Sequence, residues 1–429
     1  MKVLFTFGGI PHYLNALLEK LYKKGVDIVV VTPQKGNATI GQGVKMVEGG
    51  TYRHLTTPEK KMFYGKSAFP ALPDLISREK PDLVVMGWPY FLQLFFQPRL
   101  RRVLRACGTR VAIREIPFQT PPYGRIRSYF RQHPMYDENM CLQSHGTAFL
   151  LRQWLIARLR RYCYARCAGI LCYSSVGHEI IPSYGVKHER IHVTYNATDT
   201  EALLSERQAV EAEPALLPPC HRRLLHIGRL VKWKRVDLLI DAFAQLAEKY
   251  PDAELTIVGN GPELENLKQQ ARRLNLTVAD KDTPSAPGCV RFTGAIYDPK
   301  ELGACMHESL VYVLAGMGGL SINDAMTYGL PVVCSVCDGT ERDLVADGRN
   351  GLFFRDGDVD SLTLTLDNLL ASPERCHSVD AMTASIAHIP YEVLERTSER
   401  IIREQINLDT VAKRYLLAFN DLMKMKNEE

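Results

Sequence analysis

Short apolar runs alternate with amphipathic helical segments through most of this 429-residue chain, and this alternation limits the folds that the chain can adopt. In the first half, strands are predicted at residues 2–7, 26–32, 82–86, 110–113, 169–172 and 190–193, and helices at 13–24, 72–80 and 149–167. In the second half, strands are predicted at 224–227, 254–258, 290–293, 310–314 and 331–334. Strands that alternate with helices favour a parallel sheet with helices on both faces. We therefore expect an α/β protein with two such sheets, joined by a linker at 201–219 that is rich in Ala, Glu and Pro.

The segment at residues 226–237 reads HIGRLVKWKRVD and places two cations just beyond a predicted strand. Arg229 and Lys234 follow the turn at Gly228. Arginine offers a planar fork of donors, lysine offers a mobile charge, and both charges act more strongly in a partly dehydrated cleft. This pattern predicts a diphosphate site. The alternative is a surface loop whose charged side chains are only solvated.

A second segment, at residues 315–331, reads AGMGGLSINDAMTYGLP and places glycines before a predicted helix. Glycines there let the backbone approach an anion, and the N–H groups and dipole at the start of the helix favour the same charge. Asp324, in the first turns, is placed to accept hydrogen bonds from ribose hydroxyls. An ordinary tight turn is the alternative for this segment alone. Together, the two segments predict a site for a phosphorylated donor.

In these segments the sequence resembles the family 4 retaining glycosyltransferases, and the resemblance covers nearly the whole chain. The resembling blocks are LFTFGGIPHYLNALLEKLYKKGVDIVVVTP, CYSS at Cys172, YNATD at Tyr195, GRLVKWKRVDLLIDAF, VGNGPELENL at Val258, GLSINDAMTYGLPVV and GTERDLVADGRNGLFF. The resemblance implies a GT-B fold, with two Rossmann-like domains that face each other across a cleft. The implied domains are an acceptor-binding domain at 1–205, a nucleotide-sugar-binding domain at 220–405, and a final helix at 406–429 that crosses back to the N-terminal domain.

The sequence departs from this family at one place. Family members often carry an EX7E pair, whose first Glu would fall at Gly316 and whose second position is held here by Asp324. The segment is more similar to a family variant with a PGxxGL-type loop, with Ala315 at the position of the Pro. Retaining transfer in the family is thought to rely on leaving-group stabilisation and front-face attack. The departure therefore does not by itself imply that activity is lost.

The resemblance implies transfer of a sugar from a nucleotide diphosphate-sugar to an acceptor, expected to be a glycan or a polyprenyl-linked intermediate of cell-surface polysaccharide synthesis. Arg229 and Lys234 are the predicted catalytic cations at the leaving diphosphate. Asp324 is assigned to the ribose. The other donor-binding residues predicted in this half are Gly228, Gly316, Gly318, Gly319, Leu320 and Glu341, the last of which has capping of the following helix as its alternative role. No metal and no cofactor beyond the co-substrate are expected, since no DxD pair stands in a suitable loop.

Candidates in the first half are less specific. Gly8 and Gly9 end the first predicted strand, where they would approach the donor phosphate or the acceptor, or else only form a tight turn. Glu115 follows a predicted strand at about the place of a family His. It is therefore a candidate catalytic base or acceptor contact, with a structural salt bridge to Arg114 or another Arg as the alternative. His12 and His145 are further polar contacts to consider.

Basic residues are concentrated in the first half of the chain. Residues 1–205 hold 28 Lys and Arg against 14 Asp and Glu, and between residues 99 and 166 every basic residue is Arg. Aromatic and long apolar residues interleave with them, a pattern that can dock a protein on an anionic membrane surface and would suit a lipid-linked acceptor. Ordinary solvated helix faces are the alternative. Nucleic-acid binding is disfavoured because no such motif accompanies the charge.

The composition favours a cytoplasmic protein that is either free in solution or peripheral on the inner face of the membrane. Eleven Cys residues without a signal peptide are typical of a reducing compartment. The apolar run at 83–96 is interrupted by Pro89 and falls short of the roughly 20 residues needed to span a bilayer. Cys334 and Cys337 form a lone CxxC pair, for which packing is a better explanation than metal or redox chemistry.

Two other classes of protein remain to be compared with a transferase. A catalytically degenerate protein that binds a nucleotide sugar and only scaffolds a partner would explain Gly316. It would bind nucleotide without releasing sugar. A GT-B epimerase or phosphorylase would reuse the same phosphate site, but the acidic and His groups of the first and the pyridoxal-phosphate Lys context of the second are not evident.

Overall fold

The structure, a computed structural model, describes residues 1–34, 46–137, 139–144, 146–211, 217, 220–284, 286–337, 339–371 and 391–424. The chain divides into two compact units. Unit 1 consists of Met1–Met135, Leu142–Asn196 and Leu408–Glu429, and unit 2 consists of Tyr136–Cys141 and Ala197–Asn407. The chain therefore passes into unit 2 after Asn196, earlier than the boundary at residue 205 that the sequence suggested.

Unit 1 contains a seven-stranded parallel sheet among its described residues. The strands of unit 1 are β1 (Lys2–Thr6), β2 (Asp27–Pro33), β3 (Arg53–Thr57), β4 (Lys60–Lys61), β5 (Ser67–Ala68), β6 (Leu83–Gly87), β7 (Arg110–Glu115), β8 (Gly169–Cys172) and β9 (Ile191–Val193). The sheet has the order β3-β2-β1-β6-β7-β8-β9, whereas β4 and β5 pair separately as an antiparallel hairpin. The helices are α1 (His12–Lys23), α2 (Leu72–Glu79), α3 (Gln93–Phe96), α4 (Pro98–Ala106), α5 (Ile126–Gln132), α6 (Gly146–Ala165) and α7 (Gly177–Ile180).

Unit 2 contains a second seven-stranded parallel sheet among its described residues. Its strands are β10 (Arg223–Ile227), β11 (Glu254–Val258), β12 (Thr277–Asp280), β13 (Cys289–Gly294), β14 (Val311–Leu314), β15 (Val332–Cys334) and β16 (Gly351–Phe353). Their order is β12-β13-β11-β10-β14-β15-β16. The helices are α8 (Thr200–Glu211), α9 (Val236–Lys249), α10 (Leu264–Arg273), α11 (Pro299–His307), α12 (Ser321–Thr327), α13 (Glu341–Leu344), α14 (Val359–Leu370) and α15 (Tyr391–Glu404).

Continuous apolar strands explain why both sheets are parallel and buried. In β2, Ile28, Val29, Val30 and Val31 have no exposed surface, so side chains on both faces of the strand are covered. A strand with only one buried face would alternate apolar and polar residues instead. Every predicted strand is present in the structure, with ends that differ by up to two residues.

The last helix, α16 (Leu408–Lys424), is part of unit 1. It packs against α1, β7 and β9, and Phe419 lies 6.2 Å from Phe5 between ring centroids. Asp409, at its start, pairs with Lys24 at 2.8 Å and Lys413 at 2.7 Å, and the hydrogen bonds from these two lysines lower the pKa of Asp409 to about 2. The predicted return of the chain to the N-terminal domain is thus observed in the packing of this helix.

The predicted linker at 201–219 is wrong in its first half, because Thr200–Glu211 form α8. Val210 is buried, and Arg207 donates a hydrogen bond of 3.1 Å to the carbonyl oxygen of Thr327 and pairs with Glu399. Ala and Glu are good helix formers as well as common linker residues, so composition alone favoured the wrong state. The helix belongs to the packed body of unit 2.

Candidate functional site

The candidate site lies beside β10, the strand of unit 2 from which the chain first builds the sheet in one direction and later in the other. From β10 the chain adds β11, β13 and β12 on one side of the sheet, and later β14, β15 and β16 on the other side. In open parallel sheets, ligands bind beyond the carboxyl ends of the strands at such a switch point. The loop after β10 and the loop after β14 are the two segments that the sequence singled out.

These two loops are joined directly by hydrogen bonds. The ammonium of Lys234 donates hydrogen bonds of 2.8 Å to the carbonyl oxygens of both Met317 and Gly318. The backbone N–H of Met317 donates in turn to the carbonyl oxygen of Trp233 at 2.9 Å. Lys234 is therefore held at the glycine loop, and the two segments that the sequence singled out are in contact.

Glycine at position 316 is required by this contact between loops. A Cβ atom there would lie 2.3 Å from the carbonyl oxygen of Trp233 and 2.7 Å from the carbonyl carbon of Lys234. Both are backbone atoms that cannot rotate away. The place that the first Glu of an EX7E pair would take is thus filled by the backbone of residues 233 and 234, which explains the departure in physical terms.

The backbone also approaches closely beneath the first loop. Gly228 donates its N–H to the carbonyl oxygen of Val258 at 3.0 Å, and a Cβ atom on Gly259 would lie only 1.8 Å from the carbonyl oxygen of Gly228. Gly259 has a φ of +153°, a conformation that side chains rarely adopt. The ends of β10 and β11 are thereby packed backbone to backbone below Arg229.

Arg229 in the first loop and His226 near the end of β10 differ in charge and in burial. Arg229 is half-buried, and its guanidinium carbon lies 5.8 Å from the centroid of the Trp233 ring. His226 is fully buried and donates from Nδ1 to the carbonyl oxygen of Val313 at 3.0 Å. Burial, helped by the charge of Lys234 and opposed by the hydrogen bond to Val313, lowers the pKa of His226 to about 4, so this imidazole is neutral at neutral pH.

The start of α12 completes the second loop. Gly319 is exposed, and a Cβ atom there would lie 3.3 Å from Nζ of Lys234. The Ser321 hydroxyl hydrogen-bonds the Tyr312 hydroxyl at 2.6 Å, and the Tyr312 hydroxyl also donates to the carbonyl oxygen of Ile227 at 3.2 Å. This links β10, β14 and the first residue of α12. The helix has only seven residues and follows Leu320, its N-cap.

Asp324 has an unusual environment on this helix. Its Oδ1 atom is buried and has no hydrogen-bond partner among the described residues. Burial raises the pKa of Asp324 from 3.8 to about 7, the nearby Thr198 opposes the shift, and the charge of Glu206 adds to it. Oε2 of Glu206 is likewise buried without a partner in the described chain. A buried carboxyl group with an unused acceptor is suited to a ligand that donates hydrogen bonds.

The other residues of unit 2 that the sequence singled out lie in α13, in the glycine loop, and in or just after β15. Glu341 is fully buried at the first position of α13, where Thr340 precedes it as the N-cap. Gly318 supplies one of the two carbonyl oxygens that hold Lys234. Cys334 is buried at the end of β15, and Sγ of Cys337 lies 3.0 Å from Oγ of Ser335.

The predicted residues of unit 1 lie in a different unit from these loops. Gly8 and Gly9 follow β1 and are half-buried. Glu115 ends β7 fully buried, 3.3 Å from Nε of Arg160, and accepts a hydrogen bond of 2.7 Å from the Tyr164 hydroxyl. This contact matches the salt-bridge alternative, with Arg160 as the partner. His12 is exposed at the start of α1, and the prediction for His145 falls outside the described residues.

Three residues of the site were missed by sequence reasoning. His226 reads as the interior of an apolar strand, and only its position two residues before Gly228 could have drawn attention to it. Glu206 was missed because it lies inside the predicted linker at 201–219, and Thr198 belongs to the YNATD block, to which no role was assigned. In the described part of the chain, no group of three or more His, Cys, Asp or Glu is arranged to hold a metal ion. Nor is any described helix long and apolar enough to cross a membrane.

Comparison with known protein families covers both halves of the chain. Residues 7–202 match the family model described as Glycosyltransferase Family 4, and residues 211–383 match the one described as Glycosyl transferases group 1. The chain is similar to the GDP-mannose-dependent alpha-(1-6)-phosphatidylinositol monomannoside mannosyltransferase of Mycolicibacterium smegmatis, at 33% identity over 41% of this chain and 44% of that protein. It is also similar to the alpha-monoglucosyldiacylglycerol synthase of Streptococcus pneumoniae, at 24% identity over 56% of this chain and 53% of that protein. The matched segments span about half the length of these relatives.

Comparison with solved structures covers nearly the whole chain. The crystal structure of Anabaena Alr3699/HepE in complex with UDP superimposes with a TM-score of 0.65 and 16% sequence identity, over 98% of this chain and 100% of that chain. This likeness, together with the two parallel sheets, confirms the predicted fold class as GT-B.

Proposed function

We propose that this chain, a family 4-like glycosyltransferase of GT-B fold, transfers a sugar from a nucleoside diphosphate-sugar to an acceptor with retention of the anomeric configuration. The observation that carries the proposal is the contact between Lys234 and the carbonyl oxygens of Met317 and Gly318. It fixes the Lys234 ammonium at the glycine loop, and Arg229 supplies a second cation in the loop that follows β10. Such a site suits a diphosphate.

The proposed chemistry follows from where charge develops. Cleavage of the anomeric C–O bond leaves negative charge on the departing diphosphate and positive charge on the sugar. Arg229 and Lys234 would stabilise the diphosphate as fixed donors that need no reorganisation during the step. The glycine loop at residues 316–320 would admit the phosphates to close contact with the backbone. Asp324 would accept hydrogen bonds from the ribose hydroxyls.

The proposed acceptor is a glycan or a lipid-linked intermediate of cell-surface polysaccharide synthesis, handled in the cytoplasm or at the inner face of the membrane. Support comes from the two curated relatives, whose names place a phosphatidylinositol monomannoside and a diacylglycerol lipid among the molecules they act on or make. On the donor side, GDP-mannose is named for one relative and UDP for the Anabaena structure. Both nucleotides therefore belong in the test.

The first experiment measures thermal stabilisation by UDP, GDP and ADP and by their sugars, followed by nucleoside diphosphate release with and without a polyprenyl diphosphate-sugar acceptor. A ligand that binds only the folded state at 100 times its Kd stabilises by about 2.7 kcal/mol, which is readily detected. Arg229→Ala should lower turnover by about 10² to 10³. The exposed Lys232 of the same loop provides the matched control, Lys232→Ala.

The results separate transfer from mere binding. Acceptor-dependent release that is lost in Arg229→Ala and kept in Lys232→Ala supports the proposal, and a product of inverted configuration contradicts the retaining mechanism. Equal release by both variants contradicts the assignment of Arg229. The second candidate, a nucleotide-sugar-binding scaffold, is favoured specifically by the filled position of the first EX7E Glu at Gly316. It predicts stabilisation by a nucleotide sugar without release under any acceptor.

A further inference from the structure

Helix α6 of unit 1 presents apolar side chains on two opposite faces. One face packs inward, with Ala157, Cys163 and Tyr164 buried. On the other face Leu151, Trp154 and Leu155, spaced by three and four residues, are 59%, 46% and 49% exposed. A surface helix of a soluble protein ordinarily carries polar residues on its outer face. The outer face of α6 is therefore an exposed apolar surface that needs an explanation.

A string of aromatic rings extends from this helix to a neighbouring hairpin. The ring centroids of Tyr162 on α6 and Phe95 are 4.8 Å apart, those of Phe95 and Phe96 are 4.8 Å apart, and those of Phe96 and Phe63 are 5.2 Å apart. Phe63 lies in the turn between β4 and β5 and is 84% exposed. The hairpin is therefore linked to α6 through a series of aromatic contacts that ends at Tyr162.

The segment of the chain that supplies this helix is rich in arginine and contains few acidic residues. Residues 83–178 include 14 Arg and no Lys against three acidic residues, and α6 itself has none of the latter. The guanidinium carbon of Arg158 lies 4.6 Å from the Trp154 ring centroid, and that of Arg166 lies 3.6 Å from the Tyr162 ring centroid. Partial burial lowers the pKa of Lys66 in the hairpin turn, and the charges of Arg152, Arg160 and Lys61 lower it further. Cations from the helix and the hairpin thus lie close enough to repel one another.

We propose that Phe63, Phe95, Leu151, Trp154 and Leu155, with the exposed Arg152, Arg158 and Arg161 of α6, form a docking surface that inserts into the headgroup region of an anionic lipid bilayer. Aromatic rings with a guanidinium over one face suit the boundary between headgroups and acyl chains, where an apolar body meets a polar group. Arginine stems cover apolar surface while their charges reach anionic headgroups. The mutual repulsion of cations in the free protein is relieved by the negative charge of the lipid.

This inference goes beyond the proposed sugar transfer and stands on different residues, since the docking surface is in unit 1 and the nucleotide site is in unit 2. A second copy of the chain would bring the same positive charges against each other. A nucleic acid would match the charge but would leave the exposed Leu151 and Leu155 without a partner. An anionic bilayer satisfies both the apolar and the charged side chains.

The test is co-sedimentation of the full chain with vesicles of phosphatidylcholine alone and with added phosphatidylglycerol. We expect binding to the anionic vesicles, weaker binding at high salt, and a loss of about tenfold in partitioning for each of Phe63→Ser and Trp154→Ser. Replacement of Arg158 and Arg161 by Gln should reduce binding to anionic vesicles without creating binding to neutral ones. Brominated lipids should quench tryptophan fluorescence in the wild type and not in Trp154→Phe.

Matched controls lie on the other unit. Tyr297 and Leu364 are 73% and 64% exposed in unit 2, so Tyr297→Ser and Leu364→Ser remove similar apolar surface away from the docking surface. Both should bind vesicles like the wild type. Stabilisation by nucleotide, measured on every variant, shows that it is folded and keeps this result separate from that of the proposed transfer. The proposal is overturned if the wild type ignores anionic vesicles at low salt, if the controls lose as much binding as Trp154→Ser, or if Trp154→Ser only converts a dimer into a monomer.

Discussion

Replacement of Asp324 by Asn is expected to stabilise the protein at neutral and alkaline pH. Burial raises the pKa of this carboxyl group from 3.8 to about 7. The folded protein therefore holds the proton more tightly than the unfolded chain does. Stability falls as the pH rises from about 4 to about 7, because the unfolded chain loses the proton first. An amide in the same place does not ionise and avoids this loss.

The magnitude follows from the size of the shift. One pKa unit corresponds to 1.36 kcal/mol, so a shift of roughly three units corresponds to at most about 4 kcal/mol. Asp324 as a whole keeps some exposed surface, and water near the carboxyl group reduces the effect below this maximum. We therefore expect Asp324→Asn to exceed the wild type by about 2–4 kcal/mol at pH 8 and to match it near pH 4.

The assay is urea unfolding of the wild type and Asp324→Asn at several pH values between 4.5 and 8. The difference between the two proteins cancels the titration of the other groups. Asp360→Asn, an exposed acid at the start of α14, is the matched control and should run parallel to the wild type. A difference between Asp324→Asn and the wild type that stays constant over this range would refute the reasoning.

The raised pKa of Asp324 also predicts how nucleotide affinity should depend on pH. If ionised Asp324 accepts hydrogen bonds from the ribose, then binding favours the charged form and lowers the pKa of this group. Nucleotide affinity of the wild type should then rise as the pH passes through about 7, whereas Asp324→Asn should bind weakly with little dependence on pH. Calorimetry in buffers of different ionisation enthalpy measures the proton that is released. Equal pH dependence in the two proteins would separate Asp324 from the ribose.

Three further substitutions test the loops and the buried ion pair. Gly316→Ala places a Cβ atom 2.3 Å from the carbonyl oxygen of Trp233 and should destabilise by about 1–3 kcal/mol, together with a loss of nucleotide binding in the thermal-shift assay. Lys234→Met should lower turnover by about 10², while Lys232→Met leaves it within twofold; equal rates would disprove the role of the held ammonium. Glu115→Ala leaves Arg160 buried without its carboxylate and should cost about 3–5 kcal/mol in urea unfolding, and a normal unfolding curve with lost turnover would instead favour a catalytic role.

The fold was largely predictable because its strands are buried on both faces. The apolar run at residues 169–172, GILC, matches β8 residue for residue, since no alternation with polar residues complicates the reading. The edge strand β3, with sequence RHLTT, was missed because it contains too few apolar residues to be distinguished from a loop. The helix α8 was missed because its composition suits a linker equally well.

The two loops of the candidate site were predictable from the sequence, but the hydrogen bonds between them were not. Glycines and cations at strand ends pointed to the loops, but nothing local shows that Lys234 hydrogen-bonds to a carbonyl group 83 residues away. The raised pKa of Asp324 depends on burial beside Thr198 and Glu206, which lie in a segment that was not predicted to pack there. Such properties arise from tertiary packing, and a single sequence without its fold does not display them.

The place of α16 in unit 1 has a consequence for how the protein is made. Arg110 of β7 hydrogen-bonds the carbonyl oxygen of Leu422, and Arg114 donates to the Tyr415 hydroxyl at 3.2 Å, so the sheet of unit 1 depends on residues near the end of the chain. More than 200 residues separate Asn196 from Leu408. At typical rates of synthesis the ribosome needs roughly 10–40 s to cross that interval. Unit 1 is thus completed only after unit 2 has been translated, and until then the parts of α1, β7 and β9 that α16 covers are exposed.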